Sequence, residues 1–323
     1  MKITETEFAD LYIGNDWASV AGFKGNEEQI SLPTEYEQEV QEIRDQCFEI
    51  EHEAGVDEFS IRRSGILFRV TCYPNTDGKT VFIIRRPLAT IMPFHKVGFG
   101  TSDMEFLLRP DLRGLVIFSG DMRSGKTTAA ASLTAARLIS HGGTAIVIED
   151  PPETPLDGPH GRGRAIQVEA RGEGAYKAQV KKAMRSGAKL IYLGEVRDSE
   201  TAGQVITASN NGNFILTTTH ALSPKDAVMR LCNLGTSVLE DPAKVLSSGL
   251  AAVIHMSLDA KIVNSSSGPK QVKKISYKML RVEKDSIVMN LIREKAFHML
   301  DNVIDDQLAK QSLRNPAARQ GSR

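Results

Sequence analysis

The chain is poor in cysteine, with only Cys47, Cys72 and Cys232 among 323 residues. Their scatter matches no metal-ligand spacing, which excludes a cysteine zinc site and points to free thiols in a reducing compartment, buried as small hydrophobes. Aromatic residues make up 6%, and no basic stripe interleaved with them appears. Charge of either sign is not in excess, since 40 Lys and Arg balance 40 Asp and Glu. No stable nucleic-acid partner is therefore expected. No apolar run approaches bilayer length, and Met1-Lys2-Ile3-Thr4-Glu5 lacks a signal-peptide core. The expectation is a cytoplasmic protein whose membrane association is peripheral.

Against these shortages stands an ordinary globular composition, 41% hydrophobic and 25% charged, with enough length for two domains. One stretch organises the rest. Leu115-Val116-Ile117-Phe118 leads into Gly120-Asp121-Met122-Arg123-Ser124-Gly125-Lys126-Thr127, the G-x-x-x-x-G-K-[ST] pattern of a phosphate-binding loop. A strand precedes it. The run Ala129, Ala130, Ala131, Leu133, Ala135, Ala136, Leu138, closed by Gly142-Gly143, predicts a helix after it. In that setting backbone N–H groups point at a phosphate, Lys126 reaches the β- and γ-phosphates, and Thr127 holds Mg²⁺. The expected ligands are ATP and Mg²⁺. Gly120, Ser124, Gly125, Lys126, Thr127 and Thr128 are the expected nucleotide-binding residues.

Residues 1–98 read as a small α+β domain. Asp10 to Val20 suggests a strand pair, Tyr36 to Glu53 has helical spacing, and Gly65 to Tyr73 with Thr80 to Arg86 flank a turn, as in a hairpin. A second domain is expected over 99–312, and from Gly114 onward its strands and helices alternate, which argues a parallel sheet with helices on its faces. Thr144 to Ile148, Leu190 to Leu193 and Phe214 to Thr218 are strands. Thr154 to Gly174, rich in Gly and Pro, reads as a long loop. Val245 to Ser257 reads as a helix entering a strand, Ser265 to Pro269 as a turn, Val288 to Leu308 as one helix, and 313–323 as a disordered tail. Open α/β sheets bind ligands at the strand carboxyl ends, where the phosphate loop, the acidic runs and His220 fall.

With these motifs in order, the chain resembles the secretion-ATPase superfamily of PilT-like pilus retraction motors and the hexameric ATPases of type II and type IV secretion. The phosphate loop, Ile148-Glu149-Asp150-Pro151-Pro152-Glu153, Gly194-Glu195-Val196-Arg197-Asp198 and His220 stand where that family has its Walker A, Asp box, Walker B and His box. Asp10-Leu11-Tyr12-Ile13, Asp57-Glu58-Phe59-Ser60 and Phe68-Arg69-Val70 extend the likeness to the first domain. Asn290-Leu291-Ile292-Arg293-Glu294 is similar to a run of the retraction subgroup. Departures are Gly187-Ala188-Lys189 for a common Asp-Pro-Asp, Asn213 and Tyr12 for His, and Arg123 inside the phosphate loop.

The resemblance implies an α/β fold, a RecA-like phosphate-loop motor domain with a C-terminal helical part and a smaller PAS-like N-terminal domain. It implies a Mg²⁺-dependent ATPase that acts as a homo-hexamer. The partner is an inner-membrane pilus platform or a secretion-channel protein. Glu153 positions or deprotonates the water and Glu195 holds Mg²⁺ through water, although the two roles are exchangeable at this level. Arg69 and Arg85 resemble the family's arginine fingers, with Arg86 not separable from Arg85 by spacing. His220 senses the γ-phosphate or couples subunits. Pilus retraction is the favoured reading, with secretion or conjugative transfer beside it. A nucleic-acid hexamer and an inactive regulatory member stand as the other classes.

Overall fold

The computed structural model describes residues 1–314 apart from 27, 88–89, 172–173, 266–267 and 284–285. Part of the expected turn at 265–269 and most of the expected tail therefore lie outside the described residues. The chain divides into two compact units. The smaller comprises Met1–Thr90, Glu149–Pro155 and Glu169–Ala175, and the larger Ile91–Ile148, Leu156–Val168 and Tyr176–Arg323.

The smaller unit is an antiparallel sheet with one long helix. Its strands are β1 (Asp10–Ile13), β2 (Ala18–Ala21), β3 (Ile30–Ser31), β4 (Glu58–Arg63), β5 (Ile66–Pro74) and β6 (Thr80–Arg85), in the order β3-β2-β1-β6-β5-β4. Alternation sorts each strand into two faces. Leu11, Ile13, Phe68, Val70, Cys72, Phe82 and Ile84 are buried, in one core with Val40, Ile43 and Cys47 of helix α1 (Glu37–Ala54). That helical spacing is the one legible in the sequence. Asp10, Arg69 and Arg85 fall at the intervening positions, and their registers link them: Asp10 opposes Arg85, which opposes Arg69. Cys47 and Cys72 are buried free thiols, as is Cys232 of the larger unit. Burial pushes all three up to about 12.

The larger unit is built on a mixed, mainly parallel sheet. Its elements are α2 (Thr101–Leu107), β7 (Gly114–Gly120), α3 (Lys126–His141), β8 (Gly143–Glu149), β9 (Gly158–His160), β10 (Gly163–Glu169), α4 (Ala175–Arg185), β11 (Leu190–Leu193), α5 (Ser199–Ala208), β12 (Phe214–Thr219), α6 (Pro224–Gly235), α7 (Pro242–Gly249), β13 (Leu250–Ser265), β14 (Gly268–Arg281), α8 (Ile287–Arg293) and α9 (Leu300–Arg314). The order is β14-β13-β7-β12-β11-β8-β10-β9. β7, β12, β11 and β8 run parallel, and every residue of β7 is buried. A continuous apolar run is what a strand covered on both faces requires. Asp198, Ser223 and Asp241 cap α5, α6 and α7 by accepting backbone N–H groups.

Two expectations are corrected here. The supposed loop from Thr154 to Gly174 contains the antiparallel pair β9 and β10 at the sheet edge. Gly163 marks close approach rather than irregularity: a Cβ there would lie 2.8 Å from Leu138 Cδ2 and 3.0 Å from the Gly143 carbonyl. The supposed single helix from Val288 to Leu308 is broken after Arg293. Lys295 takes φ +57°, and a 3₁₀ turn over Phe297–Met299 precedes α9.

A polar knot joins α2 to the hairpin β13–β14. Asp103, only 3% exposed, accepts from Arg281 Nη2 at 2.6 Å and from the Tyr277 hydroxyl at 2.7 Å. Burial foremost pushes the Tyr277 phenol up to about 12. Asp103→Ala leaves the half-buried Arg281 guanidinium without its counter-charge, and we expect a loss of about 3 kcal/mol in urea unfolding. A loss below about 0.5 kcal/mol, the scale of an exposed ion pair, would contradict this reading.

Candidate functional site

In the larger unit the phosphate loop joins the end of β7 to the start of α3. Gly120 is required at the strand's end, because at φ +145° an added Cβ would come within 2.1 Å of the Met256 carbonyl. Beyond it Arg123 at φ +62° and Gly125 at φ +91° curl the backbone. Such turns set successive N–H groups into an anion-binding concavity. Gly125 is the N-cap of α3 and supplies no side-chain cap, which leaves the first-turn amides for a ligand.

The side chains of the loop suit the same purpose. Lys126 is 7% exposed, and its ammonium donates to the carbonyls of Gly120 at 2.9 Å and Asp121 at 2.6 Å. Ser124 is buried, and its hydroxyl has no hydrogen-bond partner. An orphaned buried hydroxyl costs about 1–3 kcal/mol, and an anionic oxygen in the loop would relieve it. Thr127 and Thr128 are half-buried in the first turn of α3, and the Thr128 carbonyl accepts from Ser132 Oγ.

Glu195 and His220 lie at the same sheet edge as the phosphate loop, beyond the ends of β11 and β12, with β12 beside β7. Hydrogen bonds fix this turn: Gly194 N donates to the Ile148 carbonyl, and Thr218 Oγ1 donates to the Gly194 carbonyl at 2.6 Å. Glu195 accepts from Arg197 Nε at 2.9 Å, and its other oxygen is 3.5 Å from His220 Nε2. Arg197 escaped assignment in the sequence. A basic residue two positions after a strand-end carboxylate was the available signal. Among the described residues no cluster of three His, Cys, Asp or Glu side chains is arranged for a metal. Thr127 and Glu195 are oxygen donors of the kind that Mg²⁺ accepts, since it retains waters and takes one or two carboxylates alongside substrate phosphates.

The smaller unit brings together the other three. Arg69 donates from Nη1 to Glu153 at 2.9 Å and from Nη2 to Glu58 at 3.1 and 3.2 Å. The expected finger is thus paired with one of the two carboxylates expected at the reacting phosphate. Arg85 donates from Nε to Asp10 at 2.7 Å, and this bond foremost raises it above its ordinary value. Arg86 differs from Arg85. It donates to the carbonyls of Thr4 and Thr6 and lies over the rings of Phe8 and Phe68. Its donors hold the N-terminal segment, while Arg85 stays on the exposed strand face. Glu149 is buried and accepts from Thr154 Oγ1, so it supports the turn before Glu153.

The profile of the Type II/IV secretion system protein family matches residues 57–299, well over half of the chain. Competence protein ComGA of Bacillus subtilis (strain 168) is 26% identical over 200 residues, covering 61% of this chain and 54% of that protein. A putative type II secretion system protein E of Escherichia coli (strain K12) is 31% identical over 156 residues, covering 48% of this chain and 29% of that protein. The chain thus spans about half or less of the length of these curated relatives. The fold is similar to the crystal structure of the pilus retraction motor PilT with bound ADP, at a TM-score of 0.74 and 24% identity, over 94% of this chain and 89% of PilT. The ordered motifs, the sheet that presents them and the family profile agree: the chain belongs to the Type II/IV secretion system protein family.

Proposed function

We propose that the chain binds Mg-ATP on Gly120–Thr128 and hydrolyses it as one subunit of a homo-hexameric motor. The observation that carries this reading is the loop itself, with its two positive-φ turns, buried lysine and unpartnered Ser124 hydroxyl. Lys126 exchanges its two carbonyl partners for phosphate oxygens and neutralises charge that grows in the transition state. Thr127 and Glu195 are the groups that would hold Mg²⁺, which when bound supplies further neutralisation on the phosphates. Glu153 takes the proton of the attacking water. Arg69 and Arg85 donate to the transferred phosphoryl group, in cis or from a neighbouring subunit. Arg69 and Glu153 are bound to each other in this structure, so that ion pair opens before either acts. His220 reports the state of the site through Glu195.

The motor serves a machine at the inner membrane, held there peripherally by a platform or channel protein. Pilus retraction is supported by the run Asn290 to Glu294 and by the likeness to PilT. Secretion is the second reading, favoured by the protein E relative.

Lys126→Ala is expected to lower Mg-ATP hydrolysis by about 10²-fold or more with the circular dichroism spectrum unchanged. A folded variant that keeps more than about half of the parent rate would rule out the nucleotide site.

Glu153→Gln is expected to bind ATP with parental affinity and to lose about 10²-fold or more in turnover, as an amide cannot accept the proton. Arg69→Ala likewise retains binding and loses turnover. Mixing Arg69→Ala with Lys126→Ala restores part of the rate if the arginine acts across a subunit boundary. Parental turnover in either single variant would remove that residue from the mechanism.

A further inference from the structure

The large sheet has a second basic constellation at the edge away from the phosphate loop. β7, β8, β11 and β12 begin there, and the 16-residue α3 ends there, about 24 Å along its axis from Lys126. These ends and the turn between β9 and β10 enclose a cavity of about 340 Å³, lined among others by Arg113, Arg137, His141, Arg162, Lys189 and Phe214. No Asp or Glu of the described residues lines it.

Arg137 is the buried member, 6% exposed, with its guanidinium carbon 3.9 Å from the centre of the Phe214 ring. Its donors go to the carbonyls of Leu107 at 2.6 Å, Arg109 at 3.1 Å and Leu112 at 3.5 Å. Hydrogen bonding is met by neutral acceptors, but the charge is not. Burial first, and Arg113 next, lower Arg137 to about 10, while Asp111 opposes them. That carboxylate is already engaged by Arg109, at 2.5 and 3.2 Å. Arg113 donates to the carbonyls of Pro110 and Leu112, and Arg162 to that of Ser140. The Lys189 ammonium has no hydrogen-bond or ion-pair partner among the described residues.

Clamping the α2–β7 turn accounts for the hydrogen bonds of Arg137. It does not account for Arg113, Arg162 and Lys189 lining the same cavity. The carboxyl end of α3 contributes about half a negative charge. Four full positive charges exceed it several-fold. Gathering like charges is unfavourable unless an anion offsets them.

We propose that this cavity binds a small phosphate-bearing anion, a diphosphate or a phosphate monoester, at a site separate from the nucleotide loop. The guanidinium forks of Arg113 and Arg162 match phosphate oxygens in pairs, and Lys189 adds a mobile point charge. The rear wall is set by Arg137, held on Phe214.

The test uses the full chain carrying Lys126→Ala, which removes binding at the phosphate loop and keeps this result independent of the ATPase reading. Titration calorimetry with inorganic pyrophosphate is expected to show saturable binding. Adding Arg113→Gln and Lys189→Gln should weaken it at least about tenfold, the scale of one or two charge-assisted contacts. Lys189→Gln alone serves if the combined variant loses its parental circular dichroism spectrum. Cosedimentation with phosphatidylcholine vesicles, with and without phosphatidic acid, whose headgroup is a phosphate monoester, separates the sources. A free anion gives pyrophosphate binding that depends on Arg113 and Lys189. A lipid headgroup gives vesicle binding with the same dependence. Equal binding in parent and variants, or binding of neither probe, overturns the proposal.

Discussion

A buried ammonium must have its hydrogen bonds satisfied, and this requirement shapes the centre of the larger unit. Lys126 meets it by donating to Gly120 and Asp121, which ties the end of β7 to the start of α3. The loop between them then closes on itself, with Arg123 and Gly125 in conformations that most residues avoid. The same geometry makes the lysine transferable. Two carbonyls are partners that phosphate oxygens can replace, so the interaction that holds the loop is also the one by which it would bind nucleotide. Everything around it is arranged to keep that loop in place: a strand buried on both faces, parallel neighbours on each side, and small alanines that bring α3 close to the sheet.

The smaller unit handles charge differently. Its outer strand positions carry a row in which Asp10, Arg85 and Arg69 face one another across β1, β6 and β5, and Glu58 and Glu153 close the row. Two arginines directly opposite each other would repel. Arg85 is matched with Asp10 and Arg69 with both Glu58 and Glu153, so neither guanidinium lacks a carboxylate. Ion pairs at such exposure contribute little to stability, and for that reason they exchange readily for a more highly charged partner.

Much of this was legible in the sequence, for reasons that differ by element. β7 and α3 declared themselves through an apolar run, a glycine-lysine pattern and an alanine-rich helix with a glycine stop. The hairpin of β5 and β6 was visible because Asn75 and Gly78 mark a turn between alternating strands, just after Pro74 closes β5. The edge pair β9–β10 was not, because Gly163 serves close packing on α3 and looks the same in sequence as a glycine that serves a turn. The break at Lys295 left no apolar signature, since a positive φ at a lysine has no local code. Pairings such as Arg69 with Glu153, 84 positions apart, depend on the tertiary fold and are invisible to spacing alone.

The most direct test of the account is amide hydrogen exchange on the purified full chain with and without Mg-ATP. If the loop amides and the first turn of α3 are the phosphate-binding groups, residues 120–128 become protected on addition of Mg-ATP, and the protection disappears in Lys126→Ala. Unchanged exchange across those residues at saturating Mg-ATP, with protection elsewhere or nowhere, would contradict it.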